Sequence, residues 1–374
     1  MKILAIETSC DDTSIAVIEA RSKKGADFNI LSDLVSSQIE IHKEWGGVYP
    51  TLAKREHQRN LTYVLKKALK ESSLLKIKKA SKVKGSKLKA INSILKREPE
   101  LLKKLIPFFE KYEKPDIDLI SVTIGPGLEP CLWVGINFAK ALSYLFNIPV
   151  VGVNHIESHI LVNLLNNKCL FPAVCLVVSG GHTQLILMKG IGKYKIIGET
   201  KDDAAGECFD KAAKILGLGY PGGPVISKNA EGNTTSEIKL PRPMIYSKDY
   251  DFSFSGLKTA VLYSWQEIKT SRRKKILKQM CYEIQEAIVD VLIKKTIKAA
   301  YDYKAKTIIL GGGVSANERL RKQLKEKVRG EFQLLIPKKN LSTDNAVMAG
   351  ISGFYQRSKK TPWRKLKAKA NLRI

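Results

Sequence analysis

Apolar residues in this chain fall into short runs separated by polar turns, and into longer stretches where they recur at helical spacing. Residues 2–6 form an apolar run, a turn rich in hydroxyl and acid groups follows at 7–14, and residues 15–18 resume the apolar pattern. This predicts a β-hairpin. The plan recurs at residues 173–178, the turn Ser179-Gly180-Gly181-His182-Thr183, and residues 185–188. The repeat predicts an internal duplication, with two domains that each open on a strand–turn–strand unit. Residues 51–72 place Leu52, Leu61, Val64, Leu65, Ala68 and Leu69 at helical spacing. A strand at 117–124 runs into Gly125-Pro126-Gly127 and a helix, and a strand at 150–153 precedes a helix at 155–165. A long amphipathic helix lies within 270–302, with Ile284, Ile288, Val291, Leu292 and Ile297 as its core stripe. A strand at 307–310 enters Gly311-Gly312-Gly313. Strands alternating with helices predict an α/β architecture.

Charge adds a partner class. The 374 residues carry Lys+Arg 64 against Asp+Glu 36, a net charge of +28. That balance attracts polyanions, through counterion release, and anionic membrane surfaces; a generally Lys-rich proteome is the alternative. Residues 70–114 hold 14 Lys/Arg and 5 Asp/Glu. They read as two Lys-rich helices around Asn92 or as a partly disordered insertion. Residues 357–374 hold eight basic residues, no acid and Trp363. Each segment reads either as an arm for a nucleic-acid backbone or as a solvated surface. Cys10, Cys131, Cys169, Cys175, Cys208 and Cys281 form no C-x-x-C pair, which predicts reduced thiols in a cytoplasmic protein. No signal peptide is expected at the N-terminus, and no apolar run approaches the ~20 residues of a membrane span.

The candidate chemistry starts with His155-Ile156-Glu157-Ser158-His159. Histidines at i and i+4 share one helical face and reach a single ion; a chance pair is the alternative. A zinc-protease reading fails on geometry. That motif needs its glutamate directly after the first histidine, whereas Glu157 stands two positions on and, at about 100° per residue, points roughly 200° away from His155. The turn 179–183 lets backbone N–H groups approach phosphate oxygens. Gly311-Gly312-Gly313-Val314-Ser315-Ala316-Asn317 leads from a strand into a helix and suits a nucleotide packed on backbone, with Asn317 free to bond sugar or base. Taken singly, each reads first as a tight structural turn. Together with Glu7-Thr8-Ser9-Cys10-Asp11-Asp12-Thr13 they form a constellation, and none is a P-loop. Asp202, Asp203, Glu207 and Phe209-Asp210-Lys211 are expected ahead of a helix. Thr343-Asp344-Asn345 is expected at another helix start, where aspartate is commonly a cap. A carboxylate joining the two histidines would complete a site with open positions, suited to Fe(II) or Zn(II).

The stretches IETSCDDTSIAV, HKEWGGVYPTLAKREH, GPGL, NHIESH, LVVSGGHTQL, DDAAGECFDKAAKILGLGYPGGP, LPRPM, DFSFSGLKTA, GGGVSAN and TDNAVMA resemble the tRNA threonylcarbamoyladenosine transferases. These are the bacterial TsaD proteins and their archaeal and eukaryotic counterparts, formerly grouped as O-sialoglycoprotein endopeptidases. The matching stretches span residues 1–350 apart from the Lys-rich insertion. The resemblance implies an actin-like, sugar-kinase-like (ASKHA) ATPase fold of two duplicated domains with an interdomain cleft: residues 1–168 plus 350–374, with the insertion at about 73–114, and residues 169–349. It implies transfer of a threonylcarbamoyl group from threonylcarbamoyl-AMP to the N6 amine of the adenosine 3′ to the anticodon (position 37), in tRNAs reading codons that begin with A. The metal ligands then fall on His155, His159 and Asp344, holding one divalent ion per subunit, with Fe(II) preferred over Zn(II). Contacts to ATP or threonylcarbamoyl-AMP fall on Val177, Val178, Ser179, Gly180, Gly181, Asp210, Gly223 and Asn317. Asp11 is the candidate catalytic base. On charge alone, and not from the resemblance, whose usual pattern lacks the insertion, the Lys-rich insertion and a C-terminal basic helix are the candidate tRNA surface. The implied partners are tRNA, a paralogous actin-like subunit (TsaB) and a small ATPase (TsaE), with no membrane.

Three departures from the family pattern stand out. Ser158 replaces the usual Gly, Asp12 replaces a Glu common in bacteria, and Val177 stands where some archaeal members supply a Tyr ligand. Two other classes remain as rivals: a phosphotransferase of the same fold, which needs an acidic base and no His pair, and a non-catalytic scaffold subunit.

Overall fold

The computed structural model describes residues 1–21, 27–79 and 81–374. The chain divides into two compact units, residues 1–41, 48–166 and 344–374, and residues 42–47 and 167–343.

The first unit is built on a five-stranded sheet of β1 (Lys2–Glu7), β2 (Thr13–Arg21), β3 (Asp27–Ser36), β4 (Leu119–Gly125) and β5 (Val150–Asn154). Their order is β3-β2-β1-β4-β5. The first three pair antiparallel, and β1, β4 and β5 pair parallel. β3 escaped the sequence pattern because Asp27, Asn29, Ser32 and Asp33 interrupt its apolar positions. Pairing with a buried neighbour holds it in the sheet. One face of the sheet buries Leu4, Ile6, Ile15 and Val17 among residues of the helices. These follow α1 (Ile39–Lys43) and are α2 (Pro50–Glu71), α3 (Gly85–Ile94), α4 (Pro99–Lys111) and α5 (Glu129–Phe146); α6 (His155–Leu161) leaves β5 directly. The opposite face receives the helix Ala346–Tyr355, which approaches closely because two of its positions are glycine. A Cβ on Gly350 would stand 2.9 Å from Ile18 and 3.2 Å from Ala5, and one on Gly353 would stand 2.5 Å from Ser121.

For the basic segments, one expectation is decided between its alternatives and one changes. The Lys-rich segment is ordered in two helices, and its apolar side (Ile91, Leu95, Leu101, Leu105, Phe108 and Phe109) is buried in the first unit's core. Asn92 lies within α3, and Ala80 lies outside the described residues. The C-terminal basic helix does not form. Residues 357–374 make only the single turns Arg357–Lys359 and Trp363–Lys365. Pro362 biases Thr361 toward an extended backbone, and the sheet takes the chain's hydrogen bonds. Thr361 N donates to Val150 O at 3.0 Å and Lys369 N to Ile124 O at 2.8 Å, while Trp363 packs on Tyr144.

The second unit repeats the topology. Its strands are β6 (Ala173–Val178), β7 (Thr183–Gly190), β8 (Lys193–Glu199), β9 (Thr307–Gly311) and β10 (Gln333–Leu335), in the order β10-β9-β6-β7-β8. β8, β7 and β6 pair antiparallel, and β6, β9 and β10 pair parallel. Read from β6, this is the arrangement of the first sheet read from β1, so the duplication holds at the level of topology. Its helices are α7 (Ala205–Ile215), α8 (Gly222–Ala230), α9 (Ser255–Glu267), α10 (Thr270–Asp302) and α11 (Glu318–Lys327); the helix Ala346–Tyr355 of the first unit is α12. Ile284, Ile288, Val291 and Leu292 of α10 are core, while Ile297 is only partly buried. Phe209-Asp210-Lys211 lies inside α7, not ahead of it.

Candidate functional site

Asn154 ends β5 and caps α6: its side-chain oxygen accepts from Ile156 N at 2.8 Å and Glu157 N at 3.1 Å. His155 therefore opens a buried helix and His159 follows one turn later, with ring centroids 4.6 Å apart at 82°. Asp344 precedes α12. The capping role open to it in the sequence is taken by its neighbour, since Asn345 Oδ1 accepts from Met348 N at 3.0 Å. Asp344 Oδ1 instead lies 3.2 Å from His159 Nε2 and 3.5 Å from His155 Nε2. One ligand atom from each of the three groups lies within 4.8 Å of the others. All three residues belong to the first unit. The expectation that residues 344–349 belong with the second domain is replaced, because α12 packs on the first unit's sheet. Glu157 is turned away and accepts from the Gln356 amide at 2.9 and 3.0 Å. Ser158, in place of glycine, donates to Asn154 O at 2.9 Å and meets Ser352 Oγ at 3.0 Å, tying α6 to α12.

The backing of the histidines comes from a residue that the sequence placed only within the first phosphate-type turn. Glu7, fully buried at the end of β1, places Oε2 3.2 Å from His155 Nδ1, and Ser9 Oγ stands 3.1 Å from the same nitrogen. Glu7 is fixed in turn by Ser9 N at 2.7 Å and Thr123 Oγ1 at 2.5 Å. A carboxylate behind Nδ1 fixes the tautomer and leaves Nε2 for a ligand bond. The signal available in the sequence was an acid closing an otherwise apolar strand. Burial raises the Glu7 carboxyl, but the adjacent His155 charge outweighs it and holds the carboxyl below its ordinary range. Burial opposes protonation of His155, yet Asp344 and Glu7 together push its pKa up to about 9. His159 goes the other way, lowered by burial and by His155. Asp12 is pushed up to about 7 by burial and by the charges of Asp11 and Asp344. Two imidazole nitrogens and a carboxylate turned toward one another, with a carboxylate–histidine pair behind them, fit a divalent ion of borderline softness. The ion would take the place of the proton that His155 otherwise holds. His159 Nδ1 is buried without a hydrogen-bond partner among the described residues.

The first turn is pinned from two sides. His57 of α2 places Nε2 2.9 Å from Cys10 O and Nδ1 2.7 Å from Thr13 Oγ1. The carbonyl can only accept, so Nε2 carries the proton and Nδ1 accepts from the threonine hydroxyl. Leu128 N donates to Ser9 O at 2.7 Å, and a Cβ on Gly127 would stand 2.5 Å from that oxygen. Asp11 and Asp12 sit half-buried in this clamped turn.

In the second unit the residues expected to contact nucleotide divide sharply. Val177 and Val178 are fully buried and paired into the sheet, so their side chains are unavailable to a ligand. Gly180 and Gly181 are exposed, and a Cβ on either would meet nothing within 4 Å. Ser179 closes the turn by donating N–H to His182 O at 2.8 Å and accepting His182 N at 3.1 Å on its hydroxyl. Asp210 Oδ1 accepts from Gly222 N at 2.7 Å at the start of α8, and Gly223 beside it opens onto free space. Asn317 is not free as expected. Its oxygen caps α11 by accepting Leu320 N at 2.9 Å, and its amide donates to Ser227 Oγ and Gln285 Oε1, both at 2.9 Å. Gly217-Leu218-Gly219-Tyr220-Pro221-Gly222 spells G-x-G-x-x-G, but it joins two helices and lacks the strand that a dinucleotide fingerprint needs.

Comparison with known proteins agrees with this architecture. The family described as tRNA N6-adenosine threonylcarbamoyltransferase (TsaD) matches residues 29–83 and 99–351. A protein of that name from Persephonella marina is 42% identical over 381 residues, covering 100% of this chain and 96% of its own length. One from Thermosipho africanus is 43% identical over 356 residues, covering 95% and 94%. One from Bacillus subtilis is 42% identical over 356 residues, covering 94% and 90%. Among solved structures, full-length HypF superposes with a TM-score of 0.53 at 10% identity, over 97% of this chain and 47% of that one. Component A of (R)-2-hydroxyglutaryl-CoA dehydratase from Acidaminococcus fermentans gives 0.50 at 12%, over 96% and 99%. The fold is of the actin-like α/β class. Among the described residues no helix is long and apolar enough to cross a membrane.

Proposed function

The chain belongs to the tRNA N6-adenosine threonylcarbamoyltransferase family, and from that premise we propose that it transfers the threonylcarbamoyl group of threonylcarbamoyl-AMP to the N6 amine of adenosine 37 in tRNAs reading codons that begin with A. The observation that carries this reading is the convergence of His155, His159 and Asp344 in a chain of this family. A divalent ion held by those three side chains, Fe(II) ahead of Zn(II), would supply Lewis-acid stabilisation of charge on the donor's oxygens, worth several kcal/mol.

The chain's own residues supply the positioning. Glu7 and Ser9 hold the His155 ring with Nε2 toward Asp344. The exposed N–H groups of Gly180 and Gly181 suit the phosphate oxygens of the donor and of the departing AMP. In the transfer, the amine nitrogen bonds to the carbamoyl carbon and the bond from that carbon to the phosphate oxygen breaks. AMP leaves with the electron pair, and the amine loses one proton. Asp11, in the acidic first turn, is the candidate acceptor for that proton.

The test supplies the protein with TsaB-type and TsaE-type partners, ATP, threonylcarbamoyl-AMP and unmodified tRNA, digests the RNA and looks for threonylcarbamoyladenosine. Absence of the modified nucleoside with the full partner set sinks the reading.

A further inference from the structure

The family match skips residues 84–98, which hold α3 and its flanks. That gap and the loop just before it carry a cluster of uncompensated positive charge. Lys79, Lys82, Lys84, Lys87, Lys89 and Lys96 are all exposed, and none has an ion-pair partner among the described residues. The carboxylates nearest in sequence are engaged elsewhere. Glu98 is buried and accepts from the Asn137 amide at 3.0 Å, Glu100 pairs with Arg59 at 2.9 Å, and Glu110 accepts from Val83 N at 3.1 Å. Some lysines on other surfaces are compensated: Lys201 pairs with Asp251, Lys211 with Asp203 and Glu207, and Lys298 with Asp302.

The charged surface is also held in place. Ile91 and Leu95 bury one side of α3 in the core, which at 100° per residue turns Lys89, Asn92, Ser93 and Lys96 to the opposite side. The loop before α3 is tied to the end of α4 by Lys78 N to Lys111 O at 3.0 Å, Glu113 N to Lys76 O at 2.9 Å and Ser81 N to Glu110 O at 3.3 Å. Ordered lysines with serine and asparagine donors between them match a phosphate backbone, which accepts both charge and hydrogen bonds.

We propose that α3 and the loop leading into it form a docking surface for the phosphate backbone of the tRNA substrate, an auxiliary contact centred on the segment that the family match skips. The proposal rests on the tRNA reading above and adds to it a surface that binds through charge, not through sequence.

The test titrates the full chain with unmodified tRNA at several salt concentrations. It compares the native protein with a variant carrying Lys84→Ala, Lys87→Ala, Lys89→Ala and Lys96→Ala, and with the double variant Lys89→Glu/Lys96→Glu, using thermal unfolding to show that both are folded. The slope of log K against log salt should flatten by about 3 in the fourfold variant, close to one unit for each phosphate that a lysine no longer neutralises. The dissociation constant should rise ~10-fold or more at low salt. An unchanged slope and affinity in both folded variants overturns the proposal. So does a weakening confined to anionic phospholipid vesicles with tRNA binding intact, which would make the patch a membrane-binding surface. Native protein that modifies tRNA while the variants keep its salt slope refutes this docking surface alone. Native protein that binds tRNA through the patch but never modifies it refutes the transferase reading alone.

Discussion

The two strand-turn-strand units have the same sheet topology and opposite turns. The turn between β1 and β2 is packed. Thr8 and Ser9 are buried, Gly127 presses on Ser9, and His57 bonds both Cys10 and Thr13. The turn also puts Glu7 and Ser9 behind His155. The turn between β6 and β7 is open, with Gly180 and Gly181 exposed and room around both. Its restraint lies beneath it. Gly312 adopts φ +84 and ψ 162 with a Cβ direction blocked by Val178 O, and a Cβ on Gly206 would stand 2.6 Å from Ser179 O. Duplication kept the sheet, where every strand needs its neighbours, and left the turns to diverge. One became a rigid mount for charged side chains, and the other a bare stretch of N–H donors.

Substitutions on each turn should show the difference, beginning with the largest effect. His155→Ala should remove metal from the purified protein and lower transfer by well over ~100-fold, since even residues behind a ligand are worth 10–100-fold. Metal content unchanged from native would refute the ligand assignment. Glu7→Gln keeps the shape of the mount and removes its charge. Metal affinity should fall about 10–100-fold by calorimetric titration, and a native affinity would mean that Glu7 serves packing alone.

The pH dependence tests the same mount without mutation. In metal-free protein the His155 pKa is raised from its ordinary 6.5 to about 9. Its contribution to stability is therefore fully present below the unfolded value and is lost as pH rises through about 9. Metal must displace that proton, so affinity should climb about tenfold per pH unit from neutrality toward 9 and then level off, with close to one proton released per ion. A flat profile would show that His155 is not the proton-bearing ligand.

The second turn should respond in smaller steps. Gly312→Ala, in a backbone region restricted almost to glycine, should cost about 1–3 kcal/mol by denaturant unfolding. Gly180→Ala should leave stability within ~0.5 kcal/mol while weakening nucleotide binding. A large drop in stability at Gly180 would mean that the open turn is as packed as the first.

Several local signals were decided by their surroundings. Asn317 and Asp344 looked alike in the sequence, each a polar residue at a helix start. Asn317 turned out to be a cap and Asp344 did not, because Asn345 stood one position nearer the helix and took the N–H bond. Val177 and Val178 sit in a motif associated with substrate, yet β6 lies between β7 and β9 and buries both. Residues 357–374 have a helix-compatible composition, but Pro362, the free edge of β5 and the end of β4 drew them into irregular chain. In each case a local signal allowed two outcomes and a neighbouring group chose between them.

The sequence by itself determined the two hairpins, the long helices α2 and α10, the duplication and the i, i+4 histidines. Each of these is a periodicity, and periodicity is set by neighbours along the chain. Tertiary structure alone decided that Glu7 stands behind His155, 148 residues away in sequence. It also decided that Asp344 belongs to the histidines' own unit and that the lysines of α3 face outward without carboxylate partners. These are distances between side chains on different elements, and they exist only once the sheet and its helices have packed.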